Sequence, residues 1–578
     1  SAETISTAIT TPVKTSTIKN GAPDAITISS SGSVKPTGGT AVTMDSNHSV
    51  TNQGTIAIAG ANGAIGIAAT AGTTGDIVNS GTITIDEAYT PEDSDKDGDL
   101  DGPFAVGSGR FGIRTDGAHA GKIENSGTIT VEGNDSAGIW LGGPLTGNFT
   151  HDGKTTVLGD RSVGVHAGPI TGNVRLAGTV TATGKDAVAA HFAGDVNGAM
   201  VVQGEIVSTG YRHTTPPADS SKLDADDLLQ GGPALLIEGN VTGGIVLAVP
   251  PKDASPTDND ENDDGIEDAK EGSAKVVSYG AAPAMVIGAT DHAVAIGAVA
   301  NTANNFGLII DGQVAGNGVY AGVDGNGLVI GGRGGAATIA NGMSVSGTVS
   351  ATSNGANATA LRIGNGASVP EIRVSGTVSA AGGGGETAKS AAILVDAGAN
   401  VGTIRNSGTI KATAGGANGS AAAIQDLSGK VALIENSGTI SASGAAADST
   451  RNVAIDLSAN TTGAVVKQTQ VASGITAPSI AGDVRFGSGN DEFDIADGTV
   501  KGTVSFGAGN NKLTLSGDAS QSGKVVFGGG ADAMSLAGTS KFAGTVDFGG
   551  GADTLALAGT SLFSGSLLNA GALAVTVS

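Results

Sequence analysis

The stretch that decides the fold is Asn125-Ser126-Gly127-Thr128-Ile129. A Gly followed by Thr and a β-branched residue, often after Asn-Ser, returns at Gly54, Gly81, Gly127, Gly178, Gly347, Gly376, Gly408 and Gly438. From Gly127 through Gly153 and Gly178 to Gly204 the steps are 26, 25 and 26 residues, and from Gly347 onward they are 29, 32 and 30. A repeat of this length is typical of one coil of a solenoid.

Each coil contains three short runs with alternating polarity, for example 128–131, 138–141 and 147–150, separated by Gly, Asn or Asp. The runs are too short for amphipathic helices and have the period of β strands. Three short strands per turn predict a parallel β-helix, and the general rule for parallel crossovers makes it right-handed. We expect Gly to occupy corners where φ must be positive.

The C-terminal part has a shorter period, because Phe486, Phe506, Phe527 and Phe548 open similar units at steps of 20, 21 and 21 residues. Each Phe precedes a Gly-rich turn and then an acid or amide, namely Asp491, Asn511, Asp532 or Asp553. A stacked Asn/Asp ladder is the preferred interpretation over calcium-binding nonapeptides, which need consecutive nine-residue half-turns. We therefore expect a cap with the first coils at 1–53, a main β-helix at 54–480 and a slimmer β-helix at 481–578.

Composition excludes several classes of protein. The 578 residues include 97 Gly but no Cys, and aromatic residues make up 3%. Without Cys there is no disulfide scaffold, zinc ribbon or iron-sulfur cluster. Gly does not recur at every third position, so the chain is not collagen. A net charge of -24 argues against nucleic acid as a partner and makes cations the natural counterpart.

Three acidic insertions that contain Pro interrupt the coils, at about 87–107, 211–231 and 250–272. The first and second insertions follow equivalent strands of the solenoid, in coils that are four steps apart. At the usual spacing of about 4.8 Å between strands, they lie about 19 Å apart along one edge.

The third insertion fits the calcium-loop pattern D-x-[DN]-x-[DN]-G-x5-E at every fixed position. The predicted ligands are Asp260, Asn262, Asp264, the carbonyl of Ile266, Asp268 and Glu271. The first insertion repeats the early spacing with Asp93, Asp95, Asp97, Asp99 and Asp101, but its twelfth position is Phe104. The second, with Asp219, Asp224, Asp226 and Asp227, lacks a Gly in register and is interpreted as a charged loop. Solvated acidic loops are the alternative for the first and third insertions.

An outward-facing column is also predicted on the coils. Trp140, His166 and His191 share an offset of 13 residues from the first Gly of their coils, and Arg114 fits the coil before them. Mutual stacking is one interpretation of this ladder, and contact with a glycan or protein is another. A metal held by two histidines is a third, although no carboxylate is placed as a further ligand.

The phrases 123–129 and 434–440, together with the terminal Phe-Gly units, resemble the passenger of an autotransporter. The resemblance implies a β-helix at the extracellular surface of a Gram-negative bacterium, attached to the outer membrane or released. It also implies export through the chain's own C-terminal outer-membrane β-barrel, which is not in this sequence. The absence of Cys agrees with passage as an extended chain. We expect that the numbering begins after a removed signal and stops before the barrel.

The sequence favours a structural or adhesive surface protein that binds calcium and self-assembles into a layer or filament through homotypic lateral contacts. Calcium would bridge neighbouring molecules or lipopolysaccharide, since like-charged surfaces need a cation between them. An adhesin for host or environmental glycans or proteins is the alternative. A polysaccharide-degrading enzyme is less favoured, because aromatics are scarce and neither a G-x-S-x-G elbow nor an H-E-x-x-H helix occurs.

Overall fold

A computed structural model describes residues 2–383 and 387–578. Almost all of its regular structure is short β strands that pair in parallel with the equivalent strand one coil away. The predicted parallel β-helix is thereby confirmed. The chain divides into two compact units, Ser1–Val319 and Tyr320–Ser578.

In the first unit the strands lie on three main faces, called A, B and C in the order in which a coil such as 128–151 visits them. Pairing is in register, so that Thr130 of one coil lies beside Thr156 of the next. Face A contains Ala8–Ile9, Ser33–Val34, Thr55–Ala59, Thr82–Asp86, Thr128–Glu132, Lys154–Leu158, Thr179–Thr183, Glu205–Thr209, Lys275–Tyr279 and Gln313–Ala321. Face B contains Val13–Lys14, Thr40–Met44, Ile65–Ala69, Phe111–Thr115, Ala137–Leu141, Val163–Ala167, Val188–Phe192, Leu235–Ile237 and Met285–Ile287. Face C contains Glu3–Ile5, Ile26–Ile28, Val50–Asn52, Ile77–Asn79, Ile123–Asn125, Phe149–His151, Val174–Leu176, Met200–Val202, Ile245–Leu247 and Leu308–Ile310.

A fourth, narrow row of strands lies between faces B and C, which the sequence did not predict. Its members are Thr73–Thr74, His119–Ala120, Leu145–Thr146, Ile170–Thr171, Val196–Asn197 and Val294–Ile296. The helices in the described residues are single 3-10 turns at Ser220–Lys222, Ala225–Asp227 and Asp268–Lys270. None of these helices has the length and hydropathy to cross a membrane.

The second unit repeats the same scheme. Its face A strands are Thr348–Asn354, Thr377–Gly383, Thr409–Thr413, Thr439–Ser443, Ser479–Ala481, Thr499–Lys501, Ser520–Ser522, Lys541–Asp547 and Leu562–Leu568. Face B has Gly325–Ile330, Ala358–Ile363, Lys389–Val395, Ser420–Asp426, Asn452–Leu457, Asp483–Phe486, Val504–Ser505 and Val525–Val526. Face C has Met343–Val345, Glu371–Val374, Thr403–Asn406, Leu433–Asn436, Val465–Gln468, Glu492–Ile495, Lys512–Leu515, Ala533–Leu536, Thr554–Leu557 and Ala574–Val577. The narrow row contains Ala337–Ile339 and Ala367–Ser368.

Alternation along each strand builds the core. Ile129 and Val131 of face A, Ile139 of face B and Phe149 of face C are fully buried, while Thr130 between the first two points outward. Burying such aliphatic and aromatic side chains contributes roughly 1.5–3 kcal/mol each. The repeated apolar positions therefore supply the main stabilisation of every coil.

The Asn of the repeated phrase forms a buried amide ladder. Asn52 Nδ2 donates to Asn79 Oδ1 at 2.8 Å, and Asn79 Nδ2 donates to Asn125 Oδ1 at 2.8 Å. All three side chains are fully buried. In the next coil His151 takes the place of Asn, and its Nε2 lies 3.3 Å from Asn125 Nδ2. The phrase thus places one hydrogen-bonding side chain per coil inside the solenoid.

The expectation that Gly occupies corners with a positive φ holds at many positions, but not for the Gly of the repeated phrase. Neither Gly127 nor Gly153 has a positive φ, whereas Gly147, at a different corner, has a φ of 152°. The phrase Gly is required by close approach instead. A β-carbon on Gly127 would lie 2.1 Å from the carbonyl oxygen of Gly81, and one on Gly153 would lie 2.1 Å from that of Gly127. The backbones of successive coils touch at this corner and leave no room for a side chain.

The terminal coils carry two stacked ladders. The rings of Phe486, Phe506, Phe527 and Phe548 stack with centroids 4.8, 4.9 and 5.5 Å apart. The acid and amide ladder is buried beside them, and each backbone N–H donates to the side chain of the next coil, as from Asn511 to Asp532 Oδ1 at 2.9 Å. These contacts have the stacked arrangement that the sequence predicted.

Candidate functional site: acidic insertions and an outward-facing ladder

The first insertion forms a compact carboxylate loop between Thr82–Asp86 of face A and Phe111–Thr115 of face B. Asp93 accepts hydrogen bonds from Asp97 N at 3.1 Å and Gly98 N at 2.9 Å. Asp97 Oδ1 in turn accepts from Asp99 N at 3.1 Å. Gly98 has a φ of 104°, which a side chain disfavours. The carboxylates of Asp93, Asp95 and Asp97 come within 4.8 Å of one another.

The third insertion, between Ile245–Leu247 and Lys275–Tyr279, repeats this hydrogen-bond pattern residue by residue. Asp260 accepts from Asp264 N at 3.2 Å and from Gly265 N at 2.9 Å. Asp264 Oδ1 accepts from Ile266 N at 2.8 Å. Gly265 has a φ of 86°. Two insertions with different surrounding sequence therefore adopt one loop conformation, in which side-chain oxygens turn inward.

The second halves of the two loops also correspond. Asp101 Oδ2 accepts from Ser94 N at 2.7 Å, and its counterpart Asp268 Oδ1 accepts from Glu261 N at 3.0 Å. Asp268 shares its cluster with Asp253 and Glu261, all within 4.8 Å, and neither of those two was predicted as a ligand. The acids at 253 and 261 lie outside the fixed positions of the calcium-loop pattern, so that pattern could not identify them.

Glu271 ends the third loop, and its carboxylate has no hydrogen-bonding partner among the described residues. Both of its oxygens are buried and accept no hydrogen bond from any residue within the described ranges. Burial, together with the adjacent Asp264 carboxyl, raises the pKa of Glu271 to about 7. Asn262 Nδ2 donates to Asp264 Oδ2 at 3.1 Å on the same side of the loop. These oxygens are arranged to receive a proton or a cation.

Arg175 fastens the third insertion to face C. Its guanidinium pairs with Asp152 and donates a hydrogen bond to the backbone carbonyl of Asp264. A cavity of about 550 Å³ lies between the insertion and the face C strands, with Asn173 and Val201 among the residues that line it. The loop is thus held over the surface of the coils.

The second insertion, predicted to be a charged loop, packs against the first. Asp226 Oδ2 accepts a hydrogen bond from Gly102 N at 2.7 Å. Arg212 donates to the Gly102 carbonyl, and its guanidinium lies 4.8 Å from the centroid of the Phe104 ring. Both insertions leave the corner between faces A and B, four in-register steps apart. The shared edge was predictable, but the contact across 124 residues of sequence was not.

The two insertions together concentrate carboxylates. Asp95, Asp99, Asp101 and Asp224 have ligand atoms within 4.8 Å of one another, as do Asp99, His213 and Asp227. Burial and the neighbouring Asp227 side chain raise the pKa of Asp99 to about 7. The predicted ligands of the first loop therefore have acidic neighbours that its own sequence does not contain.

The outward ladder lies on face B in consecutive register, with Arg114 beside Trp140, Trp140 beside His166 and His166 beside His191. The Trp140 and His166 rings stack at 3.7 Å, and the Nδ1 atoms of the two histidines lie 3.3 Å apart. Arg114 pairs with Asp116 and lies 5.0 Å from the Phe111 ring. One face of the indole is covered by imidazole, which limits how a sugar can stack on it.

A carboxylate does lie next to this ladder, contrary to expectation. Glu238 pairs with Nε2 of His191, while Nδ1 of His191 faces His166. The glutamate and the second histidine thus contact opposite edges of one imidazole. Burial lowers the pKa of His166 to about 4, and His191 adds to this effect. The arrangement is a chain of hydrogen-bonded and stacked groups and does not converge on one point.

The comparisons with known proteins add no family assignment. The chain matches no protein-family model, no curated protein and no solved structure.

Proposed function

We propose that this chain is an exported, non-enzymatic surface protein, whose acidic insertions bind calcium and whose β-helix has a structural or adhesive role. The observation that carries the proposal is the repeated loop conformation of the first and third insertions. The same inward-turned carboxylate pattern forms at Asp93–Gly98 and at Asp260–Gly265. In the third loop, the partnerless oxygens of Glu271 occupy the position of a bidentate ligand.

Calcium is favoured by the chemistry of the donors. The loops offer carboxylate, amide and carbonyl oxygens, the ligands of hard cations, and the chain has no Cys for soft metals. A net charge of -24 also makes divalent cations effective bridges between neighbouring copies or to lipopolysaccharide. The finer assignment as an autotransporter passenger, displayed outside a Gram-negative cell, rests on the repeated phrases and the lack of Cys.

Calcium binding is tested with the full chain after treatment with EGTA. We expect calcium to bind at micromolar to millimolar concentration and to raise the unfolding temperature, because a ligand that binds only the folded state stabilises it. Glu271→Gln should weaken binding at the third insertion at least tenfold. Glu267→Gln is the matched control, since this exposed acid in the same loop pairs only weakly with Lys270 at 3.6 Å. Equal binding by Glu271→Gln and the parent chain would contradict the assignment.

A role in assembly is tested by electron microscopy of the purified chain with calcium and with EGTA. Sheets or filaments that form only with calcium support lateral contact through the insertions. Isolated particles in both conditions would contradict self-assembly.

Adhesion is a second candidate, favoured by the cavity of about 550 Å³ under the third insertion. Its lining combines amides such as Asn148 and Asn173 with the apolar surface of Val201 and Val249, a mixture that suits a glycan or an extended peptide. Val201→Trp should fill this cavity without disturbing the core, since Val201 points outward. An adhesin should then lose glycan or cell binding.

A further inference from the structure

The first insertion cannot complete a calcium site alone. Where the third loop ends in Glu271, the first has Phe104, an apolar residue that is 6% exposed and lies under the guanidinium of Arg212. Calcium needs six to eight oxygens, usually with one bidentate carboxylate. A further acidic side chain must therefore come from outside this loop.

The second insertion brings that side chain to the right place. A ligand oxygen of Asp224 lies within 4.8 Å of those of Asp95, Asp99 and Asp101. Two oxygens that bind one calcium ion at 2.3–2.6 Å are at most about 5 Å apart. The spacing of the four carboxylates is therefore compatible with a single shared ion.

Asp99 provides an independent indication of a ligand. Both of its carboxylate oxygens are buried and accept no hydrogen bond from any part of the chain that the structure describes. Asp227 comes within 4.8 Å of Asp99, but its own charge is already balanced, because Arg212 Nε lies 3.5 Å from its Oδ1 and Asp224 N donates to its Oδ2 at 2.8 Å. A buried carboxylate without hydrogen bonds, as at Asp99, is unfavourable unless a cation compensates it.

We propose that a calcium ion binds between the first and second insertions, with Asp95, Asp99 and Asp101 of the first and Asp224 of the second as its ligands. The second insertion thus supplies an acidic ligand to the first loop, which has Phe104 at the position where the third loop has Glu271. Calcium then fastens together two loops that leave the solenoid four coils apart, about 19 Å along the edge. This inference rests on the proposed calcium-binding function and specifies how one of its sites is built.

The test uses three lysines that report on the three insertions. Lys96 lies in the first, Lys222 in the second and Lys270 in the third, and all three are exposed to trypsin. Calcium should slow cleavage after all three in the parent chain at least tenfold. In an Asp224→Asn variant, calcium should still protect Lys270 but neither Lys96 nor Lys222. Isothermal titration calorimetry should show that this variant binds one calcium ion fewer than the parent chain.

Control variants separate this inference from the general proposal. Asp219→Asn changes the same charge in the second insertion, outside the cluster, and should behave like the parent chain. Asp99→Asn should reproduce the loss from the side of the first insertion, and retained protection of Lys270 shows that the chain is folded. Unchanged calcium stoichiometry in Asp224→Asn, with Glu271→Gln still removing one site, overturns this inference alone. If the parent chain binds no calcium, both proposals fail.

Discussion

Replacing His151 by Asn should remove a specific acid sensitivity of the first unit. His151 is fully buried in the amide ladder, with Nε2 at 2.7 Å from Thr155 Oγ1, and its Nδ1 has no hydrogen-bonding partner among the described residues. Burial lowers the pKa of His151 to about 4, against 6.5 for an exposed histidine. Asn occupies the equivalent position in three other coils of the first unit, so the substitution suits the ladder.

The magnitude follows from proton linkage. The folded state holds His151 neutral, so protonation of this histidine takes nothing from the unfolding free energy above pH 6.5. As the pH falls from 6.5 toward 4, the unfolded state binds a proton that the folded state does not, and the unfolding free energy decreases. At pH 5 the loss is about 2 kcal/mol. The parent chain should therefore lose about 2 kcal/mol more of its unfolding free energy between pH 7.5 and pH 5 than His151→Asn does.

Urea unfolding at the two pH values measures this difference, and Trp140, the single tryptophan, reports on the same coil. His292→Asn is the control. Asp291 raises the pKa of this exposed histidine, so replacing His292 should not reduce the loss of unfolding free energy in acid. Equal pH dependence in the parent chain and His151→Asn, or an NMR titration of His151 near pH 6.5, would refute the reasoning.

Three further predictions concern the ladders and the insertions. Burial raises the pKa of Asp532 to about 6, so the folded state favours the neutral carboxyl. As the pH rises from 4 to 6, the unfolded state loses this proton first, and the unfolding free energy decreases. Asp532→Asn should then stabilise the chain at pH 7.5 by up to about 3 kcal/mol, as seen by urea unfolding followed by circular dichroism, and a loss of stability would count against this. Gly153→Ala should cost several kcal/mol in the same assay because its β-carbon meets the Gly127 carbonyl at 2.1 Å, whereas Gly529→Ala, with open space around it, should be neutral. Arg175→Met should free the third insertion and speed tryptic cleavage after Lys270 about tenfold without calcium, while unchanged cleavage would show that other contacts hold the loop.

The regular part of the fold was predictable because each coil repeats one pattern. Alternation around Ile129 and Ile139 identified the strands, and the spacing of the Gly phrase aligned Trp140 with His166 and His191 in register. The physical role of the phrase Gly was mistaken, however. Sequence shows that a side chain is absent at Gly127, but only coordinates show that a carbonyl oxygen fills its place.

The candidate site was predictable only where its ligands are local. The loops at Asp93 and Asp260 have a spacing that determines which backbone N–H groups each carboxylate reaches. Asp224 and Asp227 have no such spacing in the sequence. They lie beside the first insertion because the stacked coils bring the second insertion to the same edge of the solenoid. Long-range contacts between insertions depend on how each loop folds back, which no short motif encodes.

The most direct test of calcium binding by the insertions is an anomalous difference map from a crystal of the full chain soaked in terbium, which replaces calcium at oxygen sites. We expect one peak beside Asp264 and Glu271 and another between Asp99 and Asp224. A map with no peak near either group of carboxylates, at a terbium concentration that saturates known calcium loops, would show that the insertions are not calcium sites.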